Sequence, residues 1–136
     1  MKGVTYKLID KSRQVMATYR KASRNGITAI ANMLVRELKK AHSEADYYKG
    51  GAFRHTLGVR ASIHRTEPEW VLGSYEIRVG TKFIEALYWE MGHYNVFTGK
   101  NEPPVKIWMP TFLEQRENSR KLFAETVKRS LGTLNE

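Results

Sequence analysis

From Ser12 to His42 the apolar residues Val15, Tyr19, Ala22, Ile27, Ile30, Leu34, Leu38 and Ala41 recur every three or four positions. That spacing places side chains on one face of an α-helix and predicts a long amphipathic helix. Asp10 or Ser12 can cap its N-terminus. Asn25 and Gly26 fall in its middle and leave open a kink or a break into two helices. Residues 1–11 carry no such pattern and are expected to be extended or mobile.

The segment 43–54, SEADYYKGGAFR, is polar and holds Gly50-Gly51, so it predicts a long loop. Beyond it, Val59, Ala61 and Ile63 alternate as a strand would, whereas Phe53, Leu57 and Ala61 are spaced by four as in a helix; both readings stand. The clearest strand runs from Val71 to Val79, with Val71, Tyr75, Ile77 and Val79 on one face and Ser74, Glu76 and Arg78 on the other. Gly80 should end it. Residues 82–91 then set Phe83, Leu87 and Met91, with Ile84 and Tyr88, on overlapping rows, which predicts a short helix packed on the sheet and capped by Gly92.

A second polar loop is expected over 93–104, followed by Val105, Ile107 and Met109 as a short strand. Pro110 sits where a last helix could open. Phe112, Leu113, Leu122, Phe123, Val127 and Leu131 make that helix amphipathic, and Gly132 is placed to close it. The elements together predict one domain over 1–136 of the α+β class: a long N-terminal helix, a small, mainly antiparallel sheet with a short helix inserted, and a C-terminal helix packed on the sheet.

With 41% hydrophobic and 27% charged residues, the composition is that of a folding globular chain. No apolar run is long enough for a membrane span and no secretory leader is visible, so a cytosolic protein with no membrane role is expected. The absence of cysteine excludes disulfides, a thiolate nucleophile and cysteine-ligated metal sites. Charge is unevenly spread. Residues 1–65 hold fourteen basic and four acidic side chains, and residues 66–136 nine and ten. Arg20, Lys21, Arg24, Lys39 and Lys40 of the first helix are therefore candidates to face DNA or an acidic partner, the competing reading being a solvated basic face.

Candidate chemistry is sparse. Glu90 and His93 lie three apart and could supply two metal ligands or a base and its orienting partner, but Gly92 interrupts the helix between them and no further ligand is near. His42, His55 and His64 show no ligand spacing and read as solvated. Nucleophile elbows and phosphate-binding glycine loops are missing. The expectation is a protein that is not an enzyme and needs no cofactor or metal. Tyr47, Tyr48 and Phe53, set among Lys49 and Arg54, could stack bases, but such aromatics more often close a loop or meet a neighbouring subunit. Glu90, His93, Tyr94 and Trp108 complete the candidate subunit interface.

An ordered set of short motifs resembles a known family. A basic amphipathic helix is followed by Leu57 to Ile63, LGVRASI, then by a strand ending in Val79-Gly80-Thr81. Ala86-Leu87-Tyr88-Trp89-Glu90-Met91-Gly92 comes next, and Met109-Pro110-Thr111-Phe112 leads into the terminal helix. Over roughly residues 28–131 this order resembles the gene-product-ten family of HK-ninety-seven-like long-tailed bacteriophages, the tail-completion or head-to-tail joining proteins. Two departures are His93 after Gly92, where threonine is usual, and Thr111, where alanine is common. The resemblance implies a virion structural protein of the head-tail junction, assembled in the host cytoplasm. It would form a homo-oligomeric ring, sixfold by that resemblance, against neighbouring neck and tail proteins, with nonspecific contact to the double-stranded DNA passing through. The competing expectation is a small basic nucleic-acid-binding module, which would bind as a monomer and release in salt. A small hydrolase or nuclease would need a carboxylate cluster that the sequence does not offer.

Overall fold

The computed structural model describes residues 10–44 and 59–132; the expected loop over 43–54 lies outside these from residue 45 on, as do residues 1–9. Helix α1 spans Ser12–Glu44 without a break. Its entry is capped as anticipated: the Asp10 carboxylate accepts the Ser12 N–H at 2.8 Å, satisfying one of the donors a helix start leaves open.

Asn25-Gly26 does not interrupt α1, and the reason is tertiary. The C-terminal helix crosses so close that a Cβ on Gly26 would lie 2.7 Å from Cδ2 of Phe123 and 3.2 Å from Cγ2 of Val127. Asn25 donates to the Ser130 hydroxyl at 3.4 Å. Glycine costs a helix interior about 1 kcal/mol against alanine; here the close helix approach offsets it.

The predicted strand from Val71 to Val79 is broken by a turn after Val71 and takes in parts of three strands. β1 (His64–Arg65), β2 (Glu69–Val71), β3 (Ser74–Glu76) and β4 (Val79–Gly80) form two antiparallel pairs, β1 with β4 and β2 with β3. Leu72 and Gly73, at φ 49° and 86°, make the reversal, since both central residues of the favoured two-residue hairpin turn take positive φ. The turn changes the faces: Trp70 is opposite Tyr75, and Val71 opposite Ser74. Thr66 binds the Arg78 backbone from both its N–H and its hydroxyl, at 2.8 and 2.9 Å, and continues the β1–β4 ladder outward. Residues 59–62 are helical, which favours the second reading of that segment.

Helix α2 (Glu85–Met91) ends at Gly92 with φ 77°. The stretch expected as a loop is a hairpin, β5 (His93–Asn95) against β6 (Lys100–Glu102). Its turn is fixed by Asn95, whose side-chain oxygen accepts the Phe97 N–H at 3.0 Å and whose carbonyl accepts the Gly99 N–H at 2.8 Å. Met109 is not in a strand: helix α3 (Trp108–Glu114) has already begun. The single predicted terminal helix is divided at Gln115, after which α4 covers Arg116–Leu131.

The protein is thus α+β, with three two-stranded antiparallel ribbons among the described residues in place of one sheet, and α4 packs along α1 rather than on strands. Asn25 beside Ser130 and His42 beside Trp108 show that the α3–α4 arm runs back against α1. Among the described residues Leu38, Val59 and Ile63 are the large aliphatics fully buried, and Ala22, Ala31, Met33, Ala86 and Ile107 are the other buried hydrophobic residues. Each large one contributes about 1.5–3 kcal/mol by burial.

Candidate interaction surfaces

Glu90 has a structural task. Its Oε2 accepts the N–H groups of Ile107 and Trp108 at 2.7 and 3.0 Å, and its Oε1 that of Met109 at 3.0 Å. A carboxylate on α2 thereby caps the N-terminus of α3, where open N–H donors and the helix dipole favour negative charge. Both oxygens are engaged, so Glu90 faces inward rather than toward a partner. His93 lies in β5 with its ring 5.9 Å from that of Tyr88. Among the described residues no group of three or more His, Asp or Glu comes together as a metal site would require.

Trp108 is also turned inward, edge-on to His42 at 6.1 Å and to Phe112 at 6.2 Å. His42, expected to be solvated, is buried beneath it. Burial pushes its pKa down to about 4, with the negative charge of Glu90 opposing, because a low-dielectric site disfavours the imidazolium. His64 is exposed, as expected. Tyr47, Tyr48, Phe53 and His55 lie outside the described residues.

Of the candidate interface residues in the described part, Tyr94 points outward, and it has company that the sequence reading assigned to the core. Ile84, Leu87, Tyr88 and Met91 of the α2 region form a row at i, i+3, i+4 and i+7 that is exposed, Met91 by 72%, while Ala86 is buried on the opposite side. Ile84 and Leu87 share a shallow depression with Trp108. Exposed Met109 and Leu113 belong to α3, and Val96 and Phe97, the latter 96% exposed, to the β5–β6 turn. Among the described residues fifteen large hydrophobic side chains are exposed against eight hydrophobic residues buried. Isolated exposed apolar groups are ordinary; rows of them mark surfaces built for contact.

The basic candidates fall into two places. Arg20, Lys21 and Arg24 join Arg13 and Met16 along a groove of about 560 Å³ that Tyr75 closes from the β2–β3 hairpin. Arg20 stacks its guanidinium 4.8 Å above the Trp70 ring, and Trp70 meets Tyr75 edge-on at 4.9 Å. Lys39, with Lys40, Arg36 and Arg60, lines a separate depression about 29 Å further along the helix axis by the rise per residue. The sequence reading missed Trp70; Gly73, as a turn signal between aromatic-bearing segments, could have placed it opposite Tyr75. No family model, curated protein or solved structure matches the chain.

Proposed function

We propose that the protein is a virion structural subunit of a tailed phage, a head-to-tail connector or tail-completion component of the neck. It works by assembling with copies of itself into a ring around the DNA channel. The observation that carries this reading is the exposed apolar row of Ile84, Leu87, Tyr88 and Met91, set on a helix whose neighbour is held by the Glu90 cap. A row of this kind on a fixed frame gains from burial against another chain what it cannot gain within its own.

The order of motifs from Leu57 to Phe112 supports the neck in particular, and sixfold closure is carried by that resemblance. One subunit type closes into a ring only through a heterologous interface, in which this row would meet a different surface of the next copy. The neighbours would be other neck and tail proteins at the head-tail junction, reached after assembly in the host cytoplasm. No catalytic residue or cofactor enters this reading.

The test is the solution mass of the protein over a concentration series, beside a Leu87→Asp, Met91→Asp double variant. A ring-sized species that the variant loses, with its melting temperature kept, is the expected result. A monomeric mass for the wild type at every concentration overturns self-assembly. The second reading, a small basic nucleic-acid-binding module, is favoured by the cation-lined groove on α1 and would show binding by a protein that stays monomeric at every concentration.

A further inference from the structure

The groove between the N-terminal half of α1 and the β2–β3 hairpin has a composition that the assembly reading does not require. Arg13, Arg20 and Arg24 are seven and four positions apart and so share one face, over about 16 Å of helix. Lys21 flanks them, and among the described residues no carboxylate lines the groove. The nearby carboxylate of Glu76 is already engaged by Arg78 at 2.9 Å. Four cations without a counter-charge repel one another, and a bound polyanion relieves this.

Two further features narrow the polyanion. Three of the four cations are arginines, whose planar forks match phosphate oxygens in pairs. Tyr75 walls the groove, and Trp70, 45% exposed, stands edge-on to it in the adjoining depression, covered on one side by Arg20, which borders both. Nucleic-acid bases and sugars stack on aromatic faces beside backbone-binding cations.

We propose that this groove and the depression beside it form a sequence-independent nucleic-acid site in which Arg13, Arg20, Lys21 and Arg24 hold the phosphodiester backbone and Trp70 provides a stacking platform. It rests on the neck reading only for where nucleic acid would be met; the binding belongs to the single chain. The depression at Lys39, Lys40 and Arg36 has like charge and lacks an aromatic wall, which makes it the internal control.

The full chain is titrated against labelled single-stranded and duplex DNA at about 50 and about 200 mM salt. With three or four phosphates neutralised, affinity between the two should fall roughly 40- to 150-fold on duplex and roughly 20- to 50-fold on the single strand. Arg20→Glu with Arg24→Glu should weaken binding at least about tenfold at low salt and flatten the salt dependence. Lys39→Glu with Lys40→Glu, the same change in net charge, should cost less than about threefold. Trp70→Ala should cost roughly 5- to 100-fold on the single strand; a larger loss there than on duplex assigns stacked bases, and an equal loss on both assigns the platform to backbone and sugar.

Three results overturn the site: no binding by the wild type, equal losses from the two charge reversals, or competition by polyglutamate as strong as by DNA. The arginine variants change exposed side chains, so the test survives if Trp70→Ala fails to fold. Solution mass, read on the same samples, separates the two proposals, since loss of the groove leaves self-assembly in place and loss of the apolar row leaves DNA binding in place.

Discussion

The two halves of α1 carry the same kind of amphipathic pattern and meet opposite fates. From Gly26 onward the helix buries Ala31, Met33, Leu38 and His42 beneath α4, α3 and the ribbons, while before it Val15, Met16 and Tyr19 remain exposed with only Ala22 buried. Periodicity therefore marks a face that can be covered and says nothing of what covers it. In the second half the cover is the protein's own chain; in the first Val15, Met16 and Tyr19 stay exposed on a helix that also lines the basic groove.

The sharpest way to break this contrast is to hollow out the covered half. Leu38→Ala should cost about 2–5 kcal/mol in urea unfolding, the range for deleting a fully buried leucine. If the loss is under about 1 kcal/mol, the core is not where the burial places it.

Acid gives the next largest effect, again confined to the covered half. His42 is neutral in the folded protein down to about pH 4, while in the unfolded chain it takes up a proton below about pH 6.5. A folded pKa below the unfolded one means that the unfolded state binds more protons in between. Stability should then be flat above about pH 6.5, fall by about 1.4 kcal/mol per pH unit toward pH 4, and level off below. His42→Gln should flatten that slope; an unchanged slope would move the proton uptake elsewhere.

Filling the boundary between the halves comes third. Gly26→Val drives a side chain into the Phe123 ring and should cost about 1–3 kcal/mol by overpacking. With Phe123→Ala in the same chain the two changes should compensate, and a double-mutant cycle measures the coupling. Strict additivity would mean that the helices do not meet there.

The smallest effect belongs to the open half. Tyr19→Ser should leave stability within about 0.5 kcal/mol, as at exposed sites generally. A loss on the scale of Leu38→Ala would show that this half, too, is covered within the chain.

What could be read in advance follows the range of the forces involved. Helix α1 was legible because its pattern repeats over many turns, and α2 because Gly92 punctuates it. The β2–β3 hairpin was read as one strand because Leu72 is apolar and sits in a turn that usually takes asparagine or glycine, so the reversal, and with it the Trp70–Tyr75 pair, went unseen. The β5–β6 ribbon was hidden by its polarity. The start of α3 depends on a carboxylate seventeen residues upstream of the first N–H that it accepts, a nonlocal cap that no window of sequence displays. Of the interaction surfaces, the cations were legible from composition. The outward turn of Leu87 and Met91 was not, since an apolar row looks the same whether it faces a core or a neighbour.

The bare backbone at position 26 also constrains inheritance. With Phe123 and Val127 against it, a descendant sequence can gain a side chain there only if one of those two shrinks or the helices part. Substitution at the three sites should therefore be correlated across divergent copies of this protein, with glycine retained wherever the ring at 123 is retained.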